Sequence, residues 1–453
     1  MNRQPSRPAA VSPARRAAFD ILRRVDGEGA YAAPLIAALP QTLLSREDRA
    51  LAQELVLGVL RWQGAMDYFI ELYAQRPIKK LDRAVLIALR LGLYQLRFLS
   101  RVPASAAVNE SVNLVKRAGA ASAAPMVNAV LRRAARGLGE PPGHSLSDPL
   151  ARLAVETSHP RWLIERWIAA FGEAETRRLA LANNELPPVA FRVNPLRASI
   201  AEVVAQLESA GLRLRPSRVA TGALVVEDGP AARLAQAAES GAVYIQDEAS
   251  QLVSLLLAPA SGERILDLCA APGSKSSHIA ALTGGASWVM ACDLHPHRLA
   301  TLRTTCKRLA IESIAPVALD ATRRLPLLES APPFDRLLID APCSGTGTLR
   351  RNPEIKWRLA ATDIARLAEV QFSLLERATE TLKRGGRLVY STCSIEREEN
   401  EAVIRRFLES GAPFRVVAPA APAELITNEE FVRTFPHRGG ADGFFAVVLE
   451  KTD

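Results

Sequence analysis

The sequence predicts three folded parts in series: an all-α bundle, a small α/β connector, and an α/β domain wound on a parallel sheet. Three observations predict it. Between residues 13 and 137 apolar residues recur every three and four positions, the period of helices that bury one face. Residues 138–149, LGEPPGHSLSDP, break that period with prolines and glycines and read as a linker. From residue 261 short apolar runs alternate with helical segments, the pattern of a parallel sheet covered on both faces. The 453 residues suit that count, since a domain takes roughly 150.

The elements follow in order from local chemistry. Residues 1–12 are polar, carry prolines and arginines, and read as a flexible tail without the apolar core of a signal peptide. Residues 13–140 form the bundle, with helices over 14–25, 47–62, 81–99, 105–118 and 124–138. Ser45, ahead of acidic Glu47 and Asp48, has the chemistry of an N-cap. The connector spans 150–260, with a helix at 161–171 and extended pieces at 189–195 and 223–228 around a helical 199–211. Residues 261–453 carry strands at 264–270, 287–293, 315–321, 335–342 and 387–393, helices at 301–310 and 364–383, and β-rich pieces at 414–418 and 443–450. There are no internal repeats. No apolar run approaches the roughly 20 residues that span a bilayer, so the chain is expected to be cytoplasmic, without a membrane partner.

Lys and Arg total 57 against 48 Asp and Glu, a net charge of +9. A basic surface suits a polyanion such as RNA, though an arginine-rich chain can carry this charge without one. The five cysteines are Cys269, Cys292, Cys306, Cys343 and Cys393, all in the last domain. Their odd number argues against a disulfide framework, and no CxxC or HxxxH spacing implies a metal.

Ligands of such sheets bind at the carboxyl ends of the strands. The first strand runs into a helix through Asp267-Leu-Cys-Ala-Ala-Pro-Gly-Ser-Lys275, where Gly273 permits close backbone approach and the helix N-terminus offers free N–H groups. This is neither a phosphate-binding P-loop nor a three-glycine dinucleotide fingerprint. The next strand ends in Asp293, placed to accept both ribose hydroxyls, and the third in Asp320, placed to reach an adenine edge. A nucleoside whose other end is a carboxylate rather than a phosphate fits S-adenosylmethionine. The alternative is a generic turn with two surface aspartates.

The fourth strand ends Asp340-Ala-Pro-Cys343-Ser-Gly-Thr-Gly347 and the fifth Ser391-Thr-Cys393-Ser394, which brings two thiols to one cleft. Free cysteines are commonly small buried hydrophobes, and Cys292 and Cys306 read that way. The pair at 343 and 393 suits a harder task. Carbon 5 of cytosine is a poor nucleophile until a thiolate adds to carbon 6 and makes the ring an enamine. That route needs a nucleophilic sulfur, an acid near ring nitrogen 3 and a proton acceptor. Cys393, Asp340 and Cys343 fill the three roles, and spacing leaves open which cysteine attacks.

These pieces together resemble the Sun-type RNA (cytosine-5)-methyltransferases, a family with a Rossmann-like catalytic domain. The matching motifs are CAAPGSK at 269–275, ACD ending at Asp293, LDA around Asp320, DAPCSGTG at 340–347 and STCSIEREEN at 391–400. RVNPLRAS at 192–199, QDEAS at 246–250, Arg438 and DGFF at 442–445 are also similar. The resemblance implies that Cys393 is the nucleophile, that Cys343 assists product release, and that Asp340 serves cytosine N3 and the cofactor side. It implies S-adenosylmethionine contacts from Cys269, Ala270, Ala271, Pro272, Gly273, Ser274, Lys275, Asp293, Asp320 and Asp340, and RNA contacts from Arg192 and Asn194. Ser274 stands where the family usually has a second glycine; serine tolerates the turn and can cap the helix.

The N-terminal helices look like a NusB-type RNA-binding bundle, through 17–25, 54–62, 103–112 and 127–132. A NusB-like bundle fused to such an enzyme is the arrangement of bacterial small-subunit rRNA methyltransferases. It implies cytosine 967 of 16S rRNA as target, in free rRNA or an early assembly intermediate, and a monomeric enzyme without metal. Two rivals stand beside this: the same chemistry on tRNA or 23S rRNA, and a non-catalytic RNA-binding, antitermination-like factor. Other residues read as ordinary. Trp62, Trp162, Trp167 and Trp357 are expected in cores. His295 and His297 start a helix, and Arg350-Arg351 is either a phosphate contact or a solvated turn. Lys275 contacts cofactor or RNA, or is solvated.

Overall fold

The computed structural model describes residues 11–40, 42–137, 139–327 and 330–452. Most of the expected tail therefore lies outside the described residues, as does residue 138 of the linker. By internal packing the chain forms two compact units, Met1–Glu185 with Leu349–Arg358, and Leu186–Thr348 with Leu359–Asp453.

The first unit is helical. Helices Pro13–Glu28, Arg46–Arg61, Gln63–Ala74, Arg83–Phe98, Ala104–Arg117 and Ala124–Arg136 turn Phe19, Leu22, Leu55, Val59, Phe69, Leu89, Val115 and Leu131 into one core. Ser45 Oγ caps its helix by accepting Asp48 N at 3.0 Å, a bond of a kind that contributes about 1 kcal/mol. Helices Pro149–Glu156, Arg161–Phe171 and Glu173–Ala182 also belong to this unit, where the sequence placed them with the connector. Periodicity shows that a helix buries a face but not against which neighbour; here Trp167 is fully buried and Ser158 Oγ accepts Gly64 N at 2.9 Å.

Residues Leu349–Arg358, from the middle of the catalytic sequence, are built into the same helical unit. Glu354 Oε1 accepts Ala32 N at 2.8 Å, and Trp357 Nε1 donates to Leu60 O at 2.6 Å. Lys356 Nζ donates to Arg61 O at 2.8 Å and to Asn184 Oδ1 at 3.1 Å.

The second unit holds two sheets. Strands β1 (Val189–Val193), β2 (Arg213–Pro216), β3 (Ala223–Asp228) and β4 (Val243–Ile245) pair antiparallel in the order β2-β3-β1-β4. Helices Ile200–Ser209 and Ala231–Glu239 join Phe191, Val193, Leu224 and Val243 in its core. The larger sheet runs β10 (Phe414–Val416), β12 (Phe444–Lys451), β9 (Leu382–Thr392), β8 (Phe334–Asp340), β5 (Arg264–Asp267), β6 (Trp288–Asp293) and β7 (Ile314–Ala318), with β11 (Val432–Thr434) on β12.

Strands β5 to β9 are parallel, as expected, but β12 is antiparallel to β9 and to β10, so the sheet is mixed. An apolar run such as 444–449 reports burial on both faces, not strand direction. In the parallel register Asp340 lies beside Ser391, so the loops carrying Cys343 and Cys393 leave adjacent strand ends together.

Candidate active site

A cavity of about 300 Å³ opens at the carboxyl ends of β5, β6 and β8, lined by Cys269, Asp293, Asp320, Asp340, Cys343 and Cys393 among others. Its floor is the turn after β5. Gly273 sits at φ 102°, a backbone state that L side chains rarely adopt, and a Cβ there would lie 2.8 Å from Leu302 Cγ. Gly273 is itself the N-cap of helix Ser274–Leu282, which has no side-chain cap bond. Ser274 is therefore the first helical residue and does not cap, contrary to expectation.

The two aspartates are oriented by their neighbours. Asp293 accepts Ala271 N at 3.2 Å and His295 N at 2.9 Å, and Arg298 pairs with it at 3.4 Å while donating to Ala271 O at 2.7 Å. Asp320 accepts the Thr322 hydroxyl at 2.6 Å and its N–H at 3.0 Å, which together hold the carboxyl below its ordinary range. A cavity of this volume, with two carboxyl groups at the strand ends, fits an adenosyl group carrying no phosphate.

Beside it lie the two thiols. Cys343 Sγ and Cys393 Sγ are 3.3 Å apart. The bond to Cys393, then burial, pushes the Cys343 thiol well up, so it keeps its proton at neutral pH. Asp340 accepts Lys275 Nζ at 2.6 Å and Ser391 Oγ at 2.9 Å. Burial alone would pull the Lys275 ammonium down; Asp340, with Cys393 adding to it, reverses this, and the net shift is upward. Lys275 is thus a buried cation held by the Asp340 carboxylate and acted on by Cys393, not a solvated first-turn lysine. Burial pushes Cys292 up to about 12 and Cys306 up to about 11, consistent with their reading as inert hydrophobes.

Two expected RNA contacts are corrected. Arg192 is 2% exposed and Asn194 fully buried. Arg192 donates to Gln246 Oε1 at 3.0 Å and Ser277 Oγ at 2.9 Å and lies over the Tyr244 ring, while Asn194 Nδ2 bridges Gly241 O at 3.0 Å and Leu309 O at 2.9 Å. Both are packing residues, without surface for an RNA strand. Arg350 is also buried, within the helical unit, and so is no solvated turn. Trp167 is core, and Trp62 stacks on Phe98 at 5.0 Å. Among the described residues no group of three or more His, Cys, Asp or Glu side chains could hold a metal ion. Asp267, Arg298, Gln371 and Glu399 belong to the site's surroundings and were not singled out from sequence; only the acid-rich run at 396–399 hinted at one of them.

The sequence of this site has clear relatives. Residues 254–450 match the family described as 16S rRNA methyltransferase RsmB/F, 12–136 the NusB family, and 159–232 the ferredoxin-like domain of RsmF/B-like methyltransferases. The chain is 37% identical to "Probable ribosomal RNA small subunit methyltransferase B" of Bacillus subtilis, over 96% of this chain and 98% of that one.

The chain belongs to the RsmB/F family.

"Ribosomal RNA small subunit methyltransferase B" of Pseudomonas putida is likewise 37% identical, over 92% and 94% of the two chains. The crystal structure of PH0851 superposes with a TM-score of 0.83 at 28% identity, covering 99% of this chain and 100% of that one. As a member of the RsmB/F family the chain is an S-adenosylmethionine-dependent RNA methyltransferase acting on ribosomal RNA. Among the described residues no helix is long and apolar enough to cross a membrane.

Proposed function

We propose that this enzyme methylates carbon 5 of a cytosine in 16S rRNA, cytosine 967, through a covalent adduct between Cys393 and carbon 6. The observation that carries this is the pair of thiols 3.3 Å apart beside the Asp340–Lys275 ion pair. The Cys393 thiolate adds to carbon 6 while a proton from the Lys275–Asp340 pair moves to ring nitrogen 3, to be returned once the thiolate has left. When bound, S-adenosylmethionine supplies the electrophilic methyl group that the carbon 5 enamine takes up. A base then removes the carbon 5 proton, the C–H electron pair restores the ring double bond, and the Cys393 thiolate leaves. Cys343 supports this release. Its thiol, pushed up by the bond to Cys393 and by burial, holds a proton beside the leaving sulfur, 3.3 Å away.

Residues 269–275, Asp293, Asp320 and Asp340 hold the cofactor. The helical bundle binds RNA, in free 16S rRNA or an early assembly intermediate, and the enzyme works as a cytoplasmic monomer without metal.

Cys393→Ala is expected to lower methyl transfer to 16S rRNA by at least about 10⁴-fold, read by incorporation of labelled methyl. Cys343→Ala is expected to trap a protein–RNA adduct that survives a denaturing gel. Normal turnover by Cys393→Ala would sink the nucleophile assignment. Bisulfite sequencing of rRNA methylated by the enzyme names the nucleotide; an unmodified 16S product beside modified tRNA or 23S rRNA would redirect the substrate.

A further inference from the structure

The two thiols sit on separate loops, and both loops are tied to one buried carboxylate. Glu399 is fully buried. Its Oε1 accepts Ser344 N at 2.8 Å and Gln371 Nε2 at 3.1 Å; its Oε2 accepts Ser344 Oγ at 2.5 Å and Ser394 Oγ at 2.6 Å. Ser344 directly follows Cys343, and Ser394 directly follows Cys393. Gln371 also donates to Pro342 O at 2.9 Å, the residue before Cys343. The neighbouring Asn400 completes the other loop. It accepts Thr392 Oγ1 at 2.6 Å and donates to Ser394 O at 2.9 Å, the two residues that bracket Cys393.

Each cysteine is therefore held on both flanks from a single dipeptide and one glutamine. All four donors to Glu399 are neutral. Burying a carboxylate among neutral donors costs free energy that an apolar side chain of similar size would not. Stability alone does not account for it. Glu399 lines no part of the 300 Å³ cavity, so contact with the cofactor does not account for it either. Spacing does, because a misplacement of about 1 Å at reacting groups costs on the order of 100-fold in rate.

We infer that Glu399, with Asn400 beside it, is a positioning residue that sets the spacing and direction of Cys343 and Cys393 for the reaction. The inference rests on the covalent route proposed above and extends it to groups that touch neither base nor cofactor.

The test uses the full-length chain. Diamide joins two neighbouring thiols by taking two electrons and two protons, so the rate of Cys343–Cys393 cross-linking, read by peptide mass, reports their spacing without RNA or cofactor. Glu399→Ala is expected to slow cross-linking by about tenfold and kcat by on the order of 100-fold, with S-adenosylhomocysteine affinity within about twofold of wild type. Glu399→Gln keeps an acceptor for Ser344 N, and the two serine hydroxyls can turn to accept from its amide. It is expected to recover kcat to within about tenfold. Wild-type cross-linking in Glu399→Ala overturns the inference. Should that variant lose cofactor binding, Ser394→Ala removes one strut only; slowed cross-linking supports the inference and a wild-type rate overturns it. A wild-type enzyme that cross-links readily yet leaves cytosine unmodified would sink the proposed function and leave the positioning reading intact.

Discussion

Lys275 and Lys356 are both almost fully buried, 6% and 1% exposed, yet they live in opposite electrostatic worlds. Lys275, in the second unit, has a carboxylate at 2.6 Å and the Phe444 ring at 5.3 Å. Lys356, in the helical unit, has two neutral acceptors, and Arg61 is the charged group that acts on it. Burial pulls both downward; Asp340 overturns that for Lys275, while Arg61 reinforces it for Lys356. The partner carboxylate keeps the charge on one, and burial favours the neutral amine in the other. The difference teaches that depth does not make a lysine functional. A partnered charge beside a sulfur pair can serve chemistry, whereas a lysine holding backbone and amide oxygens is a strut.

The largest expected effect breaks the charged pair. Lys275→Met leaves Asp340 without its cation, and should lower kcat by on the order of 100-fold and unfolding free energy by about 3 kcal/mol. Steady-state kinetics and denaturant melts check this; wild-type turnover would erase the contrast. Lys356→Met should leave turnover nearly unchanged and alter the pH dependence of stability instead. Because the Lys356 point is depressed in the fold, the unfolded chain binds more protons between that point and about pH 10, and wild-type stability rises with pH across that window. The variant loses that slope, so it gains on wild type as pH falls. For Lys275 the folded point is raised, so its contribution is complete below about pH 10 and is lost only above that. Thermal melts of both variants at about pH 6 and about pH 9 separate the two.

The smallest effect concerns Asp267, the acidic counterpart of Lys356. It is fully buried, its Oδ1 has no partner, and burial raises it to about 7 against the bond from Ser276. A raised carboxyl contributes stability that is complete at low pH and is lost as pH rises through about 7. Asp267→Asn should therefore melt a few degrees above wild type at about pH 8 and level with it at about pH 4. A constant difference across that range would show that Asp267 does not titrate in the fold.

Much of the active site was legible because its parts are local. The turn at 271–275, the aspartates at strand ends and the two cysteine loops each occupy a few consecutive residues. What escaped depended on distant pairing. Arg192 and Asn194 read as RNA contacts, yet Asn194 bonds a carbonyl 115 positions away. Glu399 looked like one acid among several, and its partner Ser344 lies 55 positions back. Gly347 carries no positive φ, but a Cβ there would sit 1.9 Å from Gly443 O, and this backbone approach joins the DAPCSGTG and DGFF motifs.

By itself the sequence determined the order of helical, mixed and α/β parts, the glycine turn after β5 and the two sulfur loops, because periodicity, turn chemistry and capping act over a handful of residues. The tertiary structure alone decided that β12 runs antiparallel, that residues 349–358 belong to the helical unit, and which buried lysine keeps its charge. Those outcomes depend on partners tens to hundreds of positions apart, such as the 295 separating Lys356 from Arg61, and no local pattern encodes who meets whom across such a span.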